Sequence, residues 1–396
     1  MLYTLIQNPG FADWLDRIHL WQFVQVLNQE EFRAFCAVVL SFMLVIMFGR
    51  RTIAWLIRQK IGDAPEFYNA SLNELMARKA ATPTMGGILI CASILATILL
   101  LADVRERYVH LALTVLIWLA VVGGFDDWLK LTSARRRPGS REGLRAWEKL
   151  LFQLGIGAIA GYFLFVHGAE QPTELLRDSS HVLNLPLQRT YAAGGADALA
   201  PGLIILGLGA FVAIATVLIA ATSNAVNLTD GMDGLAGGGM AVASFAMLVL
   251  TFIAGTKSTA EFLLFPHLPG SQELMIISGA MAGACLGFLW FNCSPAQVFM
   301  GDTGSLPLGG LLAYIAVAIR QEVLLLVIGG VFFMEMASVV LQVAYFKWTK
   351  GKRIFRCSPI HHHYHLAGWS EQQVVTRFWL LAVVFAMVAM VSIKLR

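Results

Sequence analysis

Charge is what this chain has least of. Asp, Glu, Lys and Arg make up 14% of its 396 residues, whereas 57% are hydrophobic. Soluble globular domains do not have this balance, so a string of soluble domains is not expected. Cysteine offers no framework either: Cys36, Cys91, Cys285, Cys293 and Cys357 are odd in number, scattered, and form no Cys-x-x-Cys pair. Neither a disulfide scaffold nor a thiolate metal site is supported. Also missing is a basic region leading into a short apolar stretch and a small-residue cleavage site. Asp13, Asp16, Glu30 and Glu31 precede the first apolar run instead, and a cleaved signal peptide is not expected. No tandem or inverted repeat stands out.

What is present is apolar sequence in runs long enough to cross a hydrocarbon core of roughly 30 Å, which takes about 20 helical residues. Such runs lie near residues 35–56, 86–102, 109–125, 150–167, 202–222, 235–255, 274–291, 306–319, 323–346 and 375–393. They lack the ten-residue alternation of a membrane β-barrel and are rich in Gly and Ala. The expectation is an all-α, polytopic integral membrane bundle of about ten transmembrane helices, with residues 1–396 as one membrane domain.

Of the 29 Lys and Arg residues, 19 fall in 50–79, 130–149 and 347–377. Ten spans put these three segments on one side, which the positive-inside rule makes cytoplasmic. The segment 1–34, the connection 168–201 and both termini are then extracytoplasmic. The 168–201 connection carries no positive bias, and its Gly, Ala, Ser and Pro content reads as a loosely ordered loop.

Every dense polar motif falls on the expected cytoplasmic face: Thr82-Pro83-Thr84-Met85-Gly86-Gly87, Gly124-Phe125-Asp126-Asp127, the 224–234 stretch, Phe299-Met300-Gly301-Asp302-Thr303-Gly304-Ser305, and Pro359-Ile360-His361-His362-His363-Tyr364-His365. Gathering carboxylates, imidazoles and glycines against an apolar bundle is costly without a purpose. Taken singly, each motif has a plain alternative. Asp126-Asp127 is also a solvated helix end, and because adjacent helical residues point about 100° apart the two carboxylates suit two separate jobs better than joint chelation. Asp230 and Asp233 also fit an Asn/Asp/Gly turn, although in a helix they would share a face. Asp302, set between glycines, suits a hard oxygen ligand for Mg²⁺, which keeps few protein ligands. Phe299 fits a nucleobase stack or simple interface packing.

Three consecutive imidazoles cannot all face one ion on a regular helix, and with carboxylates rather than thiolates nearby the histidines favour phosphate or sugar oxygens over zinc. Lys79, Lys130 and Lys149 flank the motifs and can offset diphosphate charge. Glu335 lies inside a span, either functional or paired within the bundle, with Gln342 as a candidate partner.

These motifs resemble the polyprenyl-phosphate phosphosugar transferases, over about residues 79–377. Asp126-Asp127, the 227–234 stretch and Gly301-Asp302-Thr303-Gly304 carry the family resemblance. The narrower marks are 82–87, Trp290-Phe291-Asn292 leading to Phe299, and Ile354-Phe355-Arg356 followed by 359–363 and Gly368-Trp369. They look like the muramoyl-pentapeptide branch rather than the N-acetylglucosamine branch, which is the runner-up. The resemblance implies a ten-helix bundle, usually a homodimer among membrane lipids, that uses Mg²⁺ to join phospho-MurNAc-pentapeptide from UDP-MurNAc-pentapeptide to undecaprenyl phosphate. No nucleic acid partner is expected. Carried onto this sequence, it implies catalytic roles for Asp126, Asp127, Asp302 and His362, with Asp302 as metal ligand. Substrate binding would fall to Lys79, Lys149, Asn227, Asp230, Asp233, Gly234, Leu235, Asn292, Phe299, His361 and His363. The chain departs from the family at Ala80-Ala81, at Tyr364-His365-Leu366-Ala367 and in a longer, Arg-rich 132–145 loop.

Two other classes stay in view. A secondary transporter would keep ionisable groups at mid-membrane in broken, repeated helices, and here only Glu335 lies clearly inside a span. A structural scaffold would leave the aspartates without work.

Overall fold

The computed structural model describes residues 2–59, 82–136, 143–192 and 198–394. Ten apolar helices follow the ten apolar runs: α1 (Glu30–Arg58), α2 (Gly87–Leu101), α3 (Arg107–Arg136), α4 (Ala146–Ala169), α5 (Leu208–Thr229), α6 (Leu235–Gly255), α7 (Glu273–Asn292), α8 (Asp302–Ala318), α9 (Gly330–Trp348) and α10 (Glu371–Lys394). Eight are long and apolar enough to cross a membrane, while α2 and α8 are shorter. Every residue of α8 is buried. It is sheathed by α3 and α5, while α7 packs against α1, α2 and α6.

Small residues set the closest approach. Gly279, Gly283 and Gly287 recur every fourth residue along α7, and a Cβ on any of them would collide with α1 at Ala34, Val38 or Phe42. That spacing lets two membrane helices gain contact area without a hydrophobic driving force between them. A buried ion pair ties three helices together away from the site: Arg33 of α1 meets Glu273 of α7 at 2.6 Å and donates to Leu101 O at the end of α2.

Two expectations change. The 168–201 connection is not loosely ordered where it is described. A helix, Glu174–His181, opens on Thr173, whose hydroxyl accepts from Leu176 N, and Val182–Leu183 pairs antiparallel with Ile204–Ile205. Its order comes from distant partners that local composition cannot reveal, such as Arg320, whose Nε donates to Val182 O at 3.0 Å. The same pairing delays the start of α5 to Leu208. The expected 323–346 run is also divided, into Glu322–Ile328 and α9, by the non-helical Gly329.

Candidate active site

The ends of α3, α5 and α7 and the starts of α4, α6 and α8 meet at one end of the bundle, which brings residues far apart in sequence together. Gly123 of α3 makes the central contact possible: a Cβ there would strike the backbone of Asp302. The segment before α8 turns at Gly301, with φ of 72°, where a side chain would be strained and would also press on Asp127 Oδ2 and Thr84 Oγ1.

Asp126 and Asp127, adjacent on α3, take different partners. Asp127 Oδ2 accepts from Thr303 N at 2.9 Å and Thr303 Oγ1 at 2.7 Å, and its Oδ1 accepts from Asp302 N at 3.3 Å. It therefore caps the otherwise orphan amides at the start of α8. Asp126 faces the other way. Its Oδ1 accepts from Leu144 N, and its Oδ2 lies 2.7 Å from Lys130 Nζ and 3.1 Å from Lys149 Nζ.

The same two ammonium groups reach Asp302, whose Oδ2 is 3.2 Å from Lys130 Nζ and 2.9 Å from Lys149 Nζ, while its Oδ1 accepts from Asn227 Nδ2 at 2.7 Å. One oxygen from each of Asp126, Asp127 and Asp302 lies within 4.8 Å of the others. An all-carboxylate set of this kind suits a hard divalent cation, and Asp126 and Asp302 have the oxygens least committed to backbone donors.

The 227–234 stretch is not helical beyond Thr229, because Gly231 and Gly234 release it. Asp230 and Asp233 consequently part. Asp230 Oδ2 accepts from Gly301 N at 3.1 Å, and Asp233 Oδ2 accepts from Ala296 N at 3.1 Å. Burial pushes the Asp230 carboxyl well above the ordinary carboxylate range. Asn292 closes the strap, accepting from Gly234 N and donating to Val298 O, while Trp379 of α10 donates to Gly234 O. Leu235 is buried just behind. Phe299, partly exposed, is held by its backbone: its N donates to Pro83 O, and its O accepts from Gly86 N.

The histidines diverge on the short helix Ile360–Leu366. His361 turns inward, with Nδ1 3.1 Å from Glu335 Oε2, an approach off the hydrogen-bond axis, and its backbone N donates to the same oxygen. Its ring also fills the space a side chain at Gly231 would need. His362 is buried edge-on to His361, with ring centroids 4.1 Å apart. His363 points outward, where its Nδ1 accepts from Arg356 N. Glu335 thus pairs with His361, while Gln342 instead holds the 354–355 backbone.

The structure gathers Asp126, Asp127, Asp302, Lys149 and Asn227 at one point. Asp230, Asp233, Gly234, Leu235, Asn292 and Phe299 form the adjoining strap, and His361, His362 and His363 lie on its far flank. Lys79 lies outside the described residues. The sequence reading did not put Lys130 at the centre, although its i+3 and i+4 spacing from the two aspartates was a visible signal. Thr303, Ser305, which accepts from Asn227 Nδ2, and Glu371, which accepts from Asp233 N, gave no comparable signal. An apolar groove of about 310 Å³ between α2 and α3 runs from Leu95 and Leu116 to Gly124 and Thr303, at the carboxylates.

The model of glycosyl transferase family 4 matches residues 108–320. The chain is 40% identical, over 94% of its length and 96% of the relative's, to a phospho-N-acetylmuramoyl-pentapeptide-transferase of Desulfosudis oleivorans. A protein of that name from Oleidesulfovibrio alaskensis is 42% identical over the same shares. A third, from Thermodesulfovibrio yellowstonii, is 36% identical over the whole of both chains.

Proposed function

The chain belongs to glycosyl transferase family 4 and, within it, to the phospho-N-acetylmuramoyl-pentapeptide-transferases, and on that premise we propose that it transfers phospho-MurNAc-pentapeptide from UDP-MurNAc-pentapeptide to undecaprenyl phosphate, giving lipid I and UMP. The observation that carries the reading is the convergence of Asp126, Asp127 and Asp302 with Lys130 and Lys149 at the bundle end. Phosphoryl transfer needs positioning and charge neutralisation more than covalent help, and these groups supply both.

In the proposed step an oxygen of the lipid phosphate attacks the sugar-linked phosphorus of the nucleotide, and the bond to the bridging oxygen breaks. The electron pair leaves with UMP. A lipid phosphate with a second pKa near 6, by analogy with phosphoserine, is already largely dianionic at neutral pH. Asp126 then orients the acceptor or takes its remaining proton, with Lys130 and Lys149 set to move onto the diphosphate oxygens. Asp302, with Asp126 beside it, would hold the Mg²⁺, which when bound neutralises charge on the diphosphate. Asp127, both of whose oxygens are engaged by the α8 backbone and Thr303, fixes Asp302 in place. Asp233, Gly234, Leu235, Asn292 and Phe299, with Lys79, would form the uridine side. Asn227, Asp230 and His363 would face the phosphates and sugar, with His361 and His362 buried behind them to hold the strap in position.

We place the site on the cytoplasmic face of the cell membrane, with both termini outside, the whole chain one membrane domain and the enzyme a homodimer. The basic loops support the orientation.

The test is UMP release by purified enzyme with undecaprenyl phosphate and Mg²⁺, comparing UDP-MurNAc-pentapeptide with UDP-N-acetylglucosamine. Release from the first alone, lost in Asp302→Ala, is expected. Release from the second alone would overturn the substrate assignment. Unchanged release from Asp302→Ala would overturn the site.

A further inference from the structure

At the end of the bundle opposite the carboxylates, the chain begins with a segment the transfer chemistry does not use. The helix Pro9–Arg17 starts on Asn8, whose side chain accepts from Gly10 N at 3.0 Å, with Pro9 in its first turn. Phe11, Trp14, Leu15 and, just past its end, Ile18 recur at i, i+3, i+4 and i+7, while Asp13, Asp16 and Arg17 occupy the other side. Only Leu15 of this apolar stripe is buried. Trp14 is 52% exposed, and its ring stacks on Phe11 with centroids 5.5 Å apart, so a paired aromatic face is presented outward.

The neighbours tie this helix to a defined depth. Tyr3 lies over the Arg33 guanidinium at 3.8 Å, and Gln7 Nε2 donates to Asn28 Oδ1, beside the start of α1. Directly beyond, Phe32, Phe35, Val39 and Met43 form an exposed apolar stripe on α1 itself, a spanning helix. The N-terminal segment is thus tied, through Tyr3 and Gln7, to the start of a spanning helix whose exposed side is apolar. Its polar side carries two acids and one Arg, which gives no attraction to anionic headgroups; apolar burial and the aromatic pair are what it offers.

We propose that the Pro9–Arg17 helix lies in the lipid interface of the leaflet opposite the active site, with Phe11, Trp14 and Ile18 inserted at the headgroup and acyl boundary. It fixes the depth of α1, and through the Arg33–Glu273 pair that of α7, in the bilayer.

The experiment uses the full-length enzyme in vesicles of phosphatidylethanolamine and phosphatidylglycerol, with p-benzoylphenylalanine incorporated singly in place of Trp14, Ile18, Asp13 or Asp16. Intact transferase activity certifies the fold of each variant. Irradiation followed by mass spectrometry is expected to give lipid adducts at Trp14 and Ile18 about tenfold above Asp13 and Asp16, as a half-immersed amphipathic helix requires. Equal yields at all four positions, or no lipid adducts, would overturn the proposal. Peptide adducts to a second copy at Trp14 and Ile18 would overturn it in favour of a protein interface. A second measurement guards against biased photochemistry: quenching by lipids brominated near the headgroup should fall in Trp14→Phe relative to wild type, and unchanged quenching counts against insertion.

Discussion

Asp127 of α3 holds the first turn of α8, accepting from the amides of Asp302 and Thr303 and from the Thr303 hydroxyl. This ties the position of one site carboxylate to its neighbour on another helix. Asp127→Ala removes all three bonds. The cap alone is worth about 1 kcal/mol, but an error of about 1 Å in Asp302 can cost on the order of 100-fold in rate. The expected result is a large loss of kcat with a shift in Tm of a few degrees at most. A loss of stability without loss of turnover in the folded fraction would show that the cap does not serve the site. Thr303→Val, which keeps the Asp302 and Thr303 amide bonds, should lose much less.

Lys130 Nζ lies within 3.7 Å of an oxygen on each of Asp126, Asp127 and Asp302, and Lys149 shares two of those carboxylates. Lys130→Met and Lys149→Met should each slow turnover by on the order of 100-fold, a typical effect of removing one preorganised charge. Because both ammoniums serve the same Asp126 and Asp302 oxygens, the double variant should lose less than the product of the two. Steady-state kcat across the cycle decides it, and multiplicative losses would mean that the lysines act independently.

How much of this was open to reading in the sequence follows from the range of each interaction. The spans were legible because hydrocarbon thickness imposes a length that eight of the ten helices display, and Asp126, Asp127 and Asp302 were legible because carboxylates at the ends of apolar runs are conspicuous. The pairing of Glu335 with His361 was not, since 26 residues separate them and Gln342 offered a nearer partner. Nor was the order of the 174–192 segment, which depends on Arg320 reaching Val182 O from 138 residues away. The different partners of Asp230 and Asp233 turned on where α5 ends, the least legible feature of any helix.

The Glu335 contact makes its own prediction. Both side chains are fully buried, and His361 packs on Gly231 in the strap. Glu335→Leu removes the acceptor of the buried His361 backbone N–H, at a cost of about 1 to 3 kcal/mol for an unsatisfied buried polar group. Glu335→Gln, which keeps an acceptor for His361 N, should recover much of that stability. Thermal unfolding in detergent tests the pair, and equal loss in both variants would mean that the acceptor is not what matters.

On the opposite end of the bundle, His181 and His267 are shifted below the ordinary imidazole pKa, chiefly by burial, with the Arg320 charge also lowering His181 and that of Lys257 lowering His267. His181 Nε2 lies 3.0 Å from Phe165 O, and His267 Nδ1 3.2 Å from Ala254 O. With the folded pKa depressed, the unfolded chain binds protons first as pH falls. The stabilising contribution of neutral imidazoles is therefore fully present above the unfolded value of about 6.5 and is lost as pH drops from there toward the folded value. Tm should hold level from pH 8 to about 7 and decline on acidification through about 6. The double variant His181→Gln, His267→Gln, which keeps donors to both carbonyls but cannot titrate, should show a shallower decline. An identical slope in the double variant would assign the acid sensitivity to other groups.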